Sequence, residues 1–141
     1  MSTRALYRFI SYNDPVKYNV YKHHDGYPSG ASEAIANAMA FAWPLPRFES
    51  DEFAAAFVAA NKSRKNDGGG VRLMASGGWR EAAPLDIEYV YIIGQTLRDH
   101  VPNVRAFSVS YDSDTDDFRI LALGVVKLSD VSTLGEVCKH K

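Results

Sequence analysis

A single cysteine, Cys138, is all that the chain carries. No internal disulfide and no cysteine-based zinc cage can form. Cys138 sits in the charged tail EVCKHK, and a nucleophilic role would need a histidine held against it in a cleft. Charge of one sign is also missing: 16 Lys and Arg against 17 Asp and Glu leave a net −1. That removes the broad electrostatic basis for gripping duplex nucleic acid, which needs clustered cations to neutralise several phosphates. No run reaches the roughly 18–20 consecutive apolar residues that span a bilayer. The opening MSTRALYRFISYND lacks an apolar core followed by a small-residue cleavage site. The expectation is a cytoplasmic protein without a membrane segment.

What is present fits one α+β domain over residues 1–141. At 141 residues, 46% hydrophobic and 23% charged, the chain can bury a core of its own. RALYRFISY (residues 4–12) and VKYNVYKH (16–23) are aromatic and β-branched and alternate about Asn13, Asp14 and Pro15, the signature of a β-hairpin. Both faces of the first run carry large apolar groups, Tyr7 and Phe9 against Leu6, Ile10 and Tyr12, as in a strand central to its sheet. Ile35, Met39 and Trp43 then recur at helical spacing until Pro44 and Pro46 end the helix. Ser50 is the expected N-cap of a second helix, SDEFAAAFVAANKS, whose buried stripe is Phe53, Phe57 and Ala60.

RKNDGGGVR and GGWREAAPL read as loops, with flexibility expected near 64–70 and 76–85. VRLMAS is a short strand. DIEYVYIIG alternates, with Ile87, Tyr89, Tyr91 and Ile93 on one face. Two more strands follow, joined by an acidic turn, and a short helix capped at Ser129 closes the chain. Helices grouped after the hairpin predict a mostly antiparallel sheet of five or six strands, with two or three helices packed on one face.

The densest stretch is HHDGYPSG, residues 23–30. Gly26 suits a tight turn, Pro28 starts a helix, and Ser29 or Ser32 can cap it, so a structural account is complete without a ligand. A functional account also exists. Backbone amides near Gly26 and Gly30 at a helix start receive phosphate or carboxylate, with His23, His24 and Asp25 around it. Metal is not expected, because neighbours on a strand point to opposite faces. The run DSDTDD (112–117) has Asp117 and Leu123 where a calcium loop needs glycine and glutamate, which makes it a hairpin turn. NDGGGVR lacks the Gly-Lys-Ser/Thr ending of a phosphate loop. Trp79, after Gly77 and Gly78, belongs to a site mouth or to the core.

KHHDGYPSG, followed about sixty residues later by DIEYVYIIG, resembles a family of small phage, prophage and bacterial proteins that pair an H-x-D-G-Y-P-x-G turn with a G-D-I-E-Y-x-Y strand. The matching positions are His23, Asp25, Gly26, Tyr27, Pro28 and Gly30, then Asp86, Ile87, Glu88, Tyr89 and Tyr91, about a third of the chain. Leu85 stands where that pattern has glycine, and the tail from about residue 100 has no counterpart. The resemblance implies no particular reaction; it implies that the turn and the tyrosine strand lie together.

Three functional readings follow. In the leading one, a non-catalytic protein binds a small anionic or nucleotide-like ligand, or a host protein, through His23, His24, Asp25, Gly26, Tyr27, Gly30, Tyr89 and Tyr91, with no cofactor. In the second, a small hydrolase or phosphodiesterase uses His24, or His23, as acid/base, oriented by Asp25 or Glu88. In the third, the motifs only stabilise the fold, and an exposed strand or the acidic turn mediates a homodimer.

Overall fold

The computed structural model describes residues 2–74, 79–82 and 86–139. Strands β1 (Ala5–Ser11) and β2 (Asp14–Lys22) form the expected hairpin, paired from Ala5↔Lys22 to Ser11↔Asp14. Helices α1 (Pro28–Met39) and α2 (Ser50–Asn61) follow, then β3 (Val71–Met74) and the one-turn helix α3 (Trp79–Ala82). Strands β4 (Tyr89–Gly94), β5 (Asn103–Asp112) and β6 (Asp117–Lys127) complete the sheet, before a 3₁₀ segment Leu128–Thr133 and the short α4 (Leu134–Val137). The sheet order is β3-β2-β1-β4-β5-β6, with β1 interior; every neighbouring pair is antiparallel except β1 and β4. The fold is α+β, as the grouped helices predict.

The faces of β1 divide the core. Ala5, Tyr7 and Phe9 point at the helices and join Val20, Ile35, Phe53, Phe57, Tyr91, Ile93 and Leu134 in the main cluster. Leu6 faces the other way into a smaller cluster with Tyr21, Ile87, Val90 and Val109, against which Trp79 of α3 packs. Fully burying side chains of this size stabilises by about 1.5–3 kcal/mol each, which is why the two-sided apolar pattern of β1 places it inside the sheet. No helix among the described residues is long and apolar enough to cross a membrane.

Several local expectations give way to tertiary contacts. Helix α1 ends at Met39, so Trp43 is off its face, 38% exposed, with the Arg47 guanidinium 3.5 Å over its ring. Neither Ser29 nor Ser32 caps α1: Tyr27 occupies the cap position with Pro28 following, and the Ser32 hydroxyl donates to the Val131 carbonyl at 2.9 Å. Glu49, not Ser50, occupies the cap of α2, and the Ser50 amide donates to Ser11 Oγ at 2.8 Å. Ala60 is only half-buried. Ile87 lies outside β4 and packs in the smaller cluster, opposite in face to Tyr91 and Ile93, because regular strand alternation begins only at Tyr89.

Residues 79–82, expected in a loop, form α3; residues 76–78 and 83–85 of that expected loop lie outside the described residues. Cys138 is buried against the main cluster rather than carried on a solvated tail, and burial raises its thiol pKa.

Candidate functional site

The HHDGYPSG turn leaves β2 at Lys22 and enters α1 at Pro28. Four fixings hold it. The Gly26 amide donates to the Thr3 carbonyl at 2.8 Å, and the His23 amide to the Gly70 carbonyl at 3.0 Å. The buried Tyr91 hydroxyl donates to the Gly26 carbonyl at 2.6 Å. Gly30 is required by close approach: a Cβ there would run into the Asp25 carbonyl, itself placed by an αL backbone at Asp25 (φ 56°). The turn and the tyrosine strand therefore lie together, through Tyr91.

These fixings redistribute the expected ligands. The amide of Gly26 is spent on Thr3 and does not face an incoming anion. Tyr91 is fully buried and positions the turn instead of presenting a surface. Tyr89 is half-buried, its ring 6.2 Å from that of Tyr91, and Tyr27 is 42% exposed with its hydroxyl 3.4 Å from Asp25 Oδ1.

The two histidines occupy different clefts, with ring centroids 4.8 Å apart and edge to face. His23 Nδ1 accepts a hydrogen bond from Arg4 Nε–H at 3.2 Å and lies 2.8 Å from the Tyr21 hydroxyl. A guanidinium can only donate, so Nδ1 is the acceptor and the neutral ring carries its proton on Nε2. Desolvation, then the Arg4 charge, lowers the His23 pKa below its usual value. His23 lines a cleft of about 640 Å³ with Arg4, Tyr21, Arg72, Met74 and Asp86.

His24 faces the other way and is held by a residue that the sequence did not single out. Its Nε2 donates to Asp67 Oδ2 at 2.6 Å. Asp67 opens the triple-glycine stretch, where Gly68, Gly69 and Gly70 all have positive φ and Asp67 Oδ1 accepts the Gly69 amide at 3.0 Å. The triple-glycine segment is thus a hydrogen-bonded turn that aims a carboxylate. The His24 hydrogen bond, then that of Gly69, holds the Asp67 pKa below its usual value. With Nε2–H on Asp67, His24 Nδ1 is free to accept, and Ser2 Oγ lies 3.4 Å from it. Asp25 and Glu88, the expected partners, do not orient this ring: Asp25 meets Tyr27, and Glu88 is exposed in a separate cleft with Ser2, Arg4 and Tyr111.

The His24 cleft, about 740 Å³, mixes Lys22, Lys62 and Lys65 with Asp25, Glu33 and Asp67. Lys22 is buried, donates to the His24 carbonyl at 2.7 Å, and has its pKa lowered by desolvation. A fourth cleft, of about 850 Å³, adjoins it at Tyr27 and Glu33 and is lined by Tyr89, Ser108, Leu121 and Cys138. No group of three or more metal-ligating side chains gathers among the described residues. Comparison of the chain with protein-family models, curated proteins and solved structures gives no match.

Proposed function

We propose that the protein is a binding protein for a small nucleotide-like ligand. Its anionic group lies in the His24 cleft and its planar group lies on Tyr27 and Tyr89 in the adjoining one. The observation that carries this reading is the mixed lining around one partly exposed ring. A bare anion would meet three carboxylates in the His24 cleft, whereas a ligand with both phosphate and hydroxyl groups satisfies Lys62 and Lys65 as well as Asp25 and Glu33. Tyr27 stands where the two clefts join and offers a face on which a base stacks. The resemblance to small phage and prophage proteins is compatible with such a role and names no ligand.

Calorimetric titration with adenosine 5′-monophosphate tests it. Binding is expected in the wild type and weakened about tenfold or more in Tyr27→Ala, the scale of one base stack, with a comparable loss in Lys62→Ala. Absence of heat with both the nucleotide and inorganic phosphate would overturn the reading.

A second reading rests on the chain Asp67–His24–Ser2, in which an oriented imidazole presents Nδ1 as a base. It makes the protein a small hydrolase or phosphodiesterase, and it predicts turnover of a 4-nitrophenyl phosphodiester that His24→Asn abolishes while nucleotide binding survives.

A further inference from the structure

The two edges of the sheet are built differently. β3 has four residues, whereas β6 has eleven and, among the described residues, pairs on one side only, with β5. The Val109 amide donates to the Glu88 carbonyl, so Val109 faces the β4 side of β5, and by strand alternation Ser108 and Ser110 face β6. Their partners Leu121 and Arg119 spend their backbone groups on β5. Phe118, Ile120 and Ala122 therefore direct amide and carbonyl outward, the Phe118 amide already onto Asp117 Oδ1 at 2.8 Å. The register shifts opposite Phe107, and beyond it Val125 and Lys127 face outward.

Devices that blunt such an edge are few here. Residues 120–126, ILALGVV, carry no charge. Arg119 is tied back to Asp112 at 2.7 Å, and Asp117 to Arg80 at 3.1 Å. Leu121 and Val125 stand 62% and 56% exposed.

We propose that two copies of the chain pair along β6, antiparallel, about a two-fold axis normal to the sheet. The occupant is a second copy because the strand complements itself. Setting Ile120 against the second copy's Val125 brings outward-facing residues opposite one another on both sides of the register shift, Phe118 meeting Lys127. The same register sets exposed Leu121 against Gly124, over which the half-exposed Val137 side chain of α4 packs, so that Leu121 meets the second copy's Val137. Ile120 and Val125 lie on one face, since their partners Val109 and Arg105 do, and the two-fold repeats the contact. No like charges are brought opposite each other: Arg119 meets Val126, and Asp117 meets Leu128. The pairing leaves the His24 cleft untouched and borders the adjoining cleft at Leu121.

Sedimentation analysis at protein concentrations on the order of 100 μM tests this, with circular dichroism to establish that each variant is folded. The wild type is expected at twice the 15.6 kDa chain mass. Val125→Lys puts a cation at an exposed edge position, and Ala122→Pro removes one outward amide; both are expected at the single-chain mass. Amide exchange supplies a readout inside the wild type: Ile120 and Ala122 exchange slowly in a dimer. A wild-type monomer, a dimer that survives both substitutions, or an open-ended polymer would each overturn the proposal.

Discussion

Two turns in this molecule are crowded with chemistry-bearing side chains, and they are anchored in opposite ways. The His23–Gly30 turn is fastened from beneath: Tyr91 reaches the Gly26 carbonyl, Thr3 takes the Gly26 amide, and Gly30 lies against the Asp25 carbonyl. The Asp112–Asp117 turn is fastened only at the surface. Its contacts are the Tyr111 hydroxyl on Asp116, Arg119 on Asp112, and Arg80 across from α3 on Asp117. In the first turn, buried groups would lose partners that water cannot replace. In the second, Arg80, Arg119 and Tyr111 are exposed and compete with solvent, and only the Asp112 side chain is largely sheltered. Density of polar residues does not distinguish a site from a solvated bend; attachment to the core does.

The comparison breaks most sharply at Gly30. Gly30→Ala forces backbone against backbone and is expected to cost about 3 kcal/mol or more, read from the denaturation midpoint; a loss under about 1 kcal/mol would remove close approach as the reason for glycine.

Next come two buried tyrosines of the main cluster whose rings stack 5.2 Å apart. Tyr91→Phe strands the Gly26 carbonyl and should cost about 1–3 kcal/mol. Tyr7→Phe removes a buried hydroxyl that has no hydrogen-bond partner among the described residues, and it should leave stability unchanged or slightly raised. Equal effects from the two would refute the claim that Tyr91 anchors the turn.

Acid should separate the turns further. Folding favours neutral His23, so the unfolded chain takes up that proton first. The contribution is whole above the unfolded value near 6.5 and is lost as pH falls through the lower folded value. Thermal scans from neutral to mildly acidic pH should show a decline that His23→Gln reduces. At lower pH a second contribution, present above the ordinary 3.8 of Asp67 and lost as pH falls through its depressed folded value, should disappear in Asp67→Asn.

The smallest effect belongs to the acidic turn. Arg119→Ala breaks an ion pair whose arginine side chain is 66% exposed and should cost about 0.5 kcal/mol or less, with the remainder vanishing in high salt. A larger loss would show that this turn too is structurally anchored.

Much of this was legible in the chain. The period-two aromatics of β1 and β4, the grouped helices and the six-residue spacing of the acidic hairpin are local patterns, and local patterns record burial directly. The pairing of the HHDGYPSG turn with the tyrosine strand was not a local pattern; it was implied only by the resemblance carried on the two motifs. Asp67 was not legible. An aspartate before three glycines reads as turn chemistry alone, and nothing in a separation of 43 residues shows that it meets His24. Ile87 failed for a related reason, since strict alternation assumes that residues 87 and 88 already belong to the strand, whereas β4 begins at Tyr89.

The sequence by itself determined the α+β class, the interior place of β1 and the glycines that the first turn needs, because these follow from side-chain size and backbone sterics over a few residues. Only the tertiary structure decided which carboxylate orients His24, that His23 and His24 serve different clefts, and that Tyr91 is a buried anchor. Those relations depend on where β2, β4 and the triple-glycine turn converge, and convergence is set by the packing of the whole sheet.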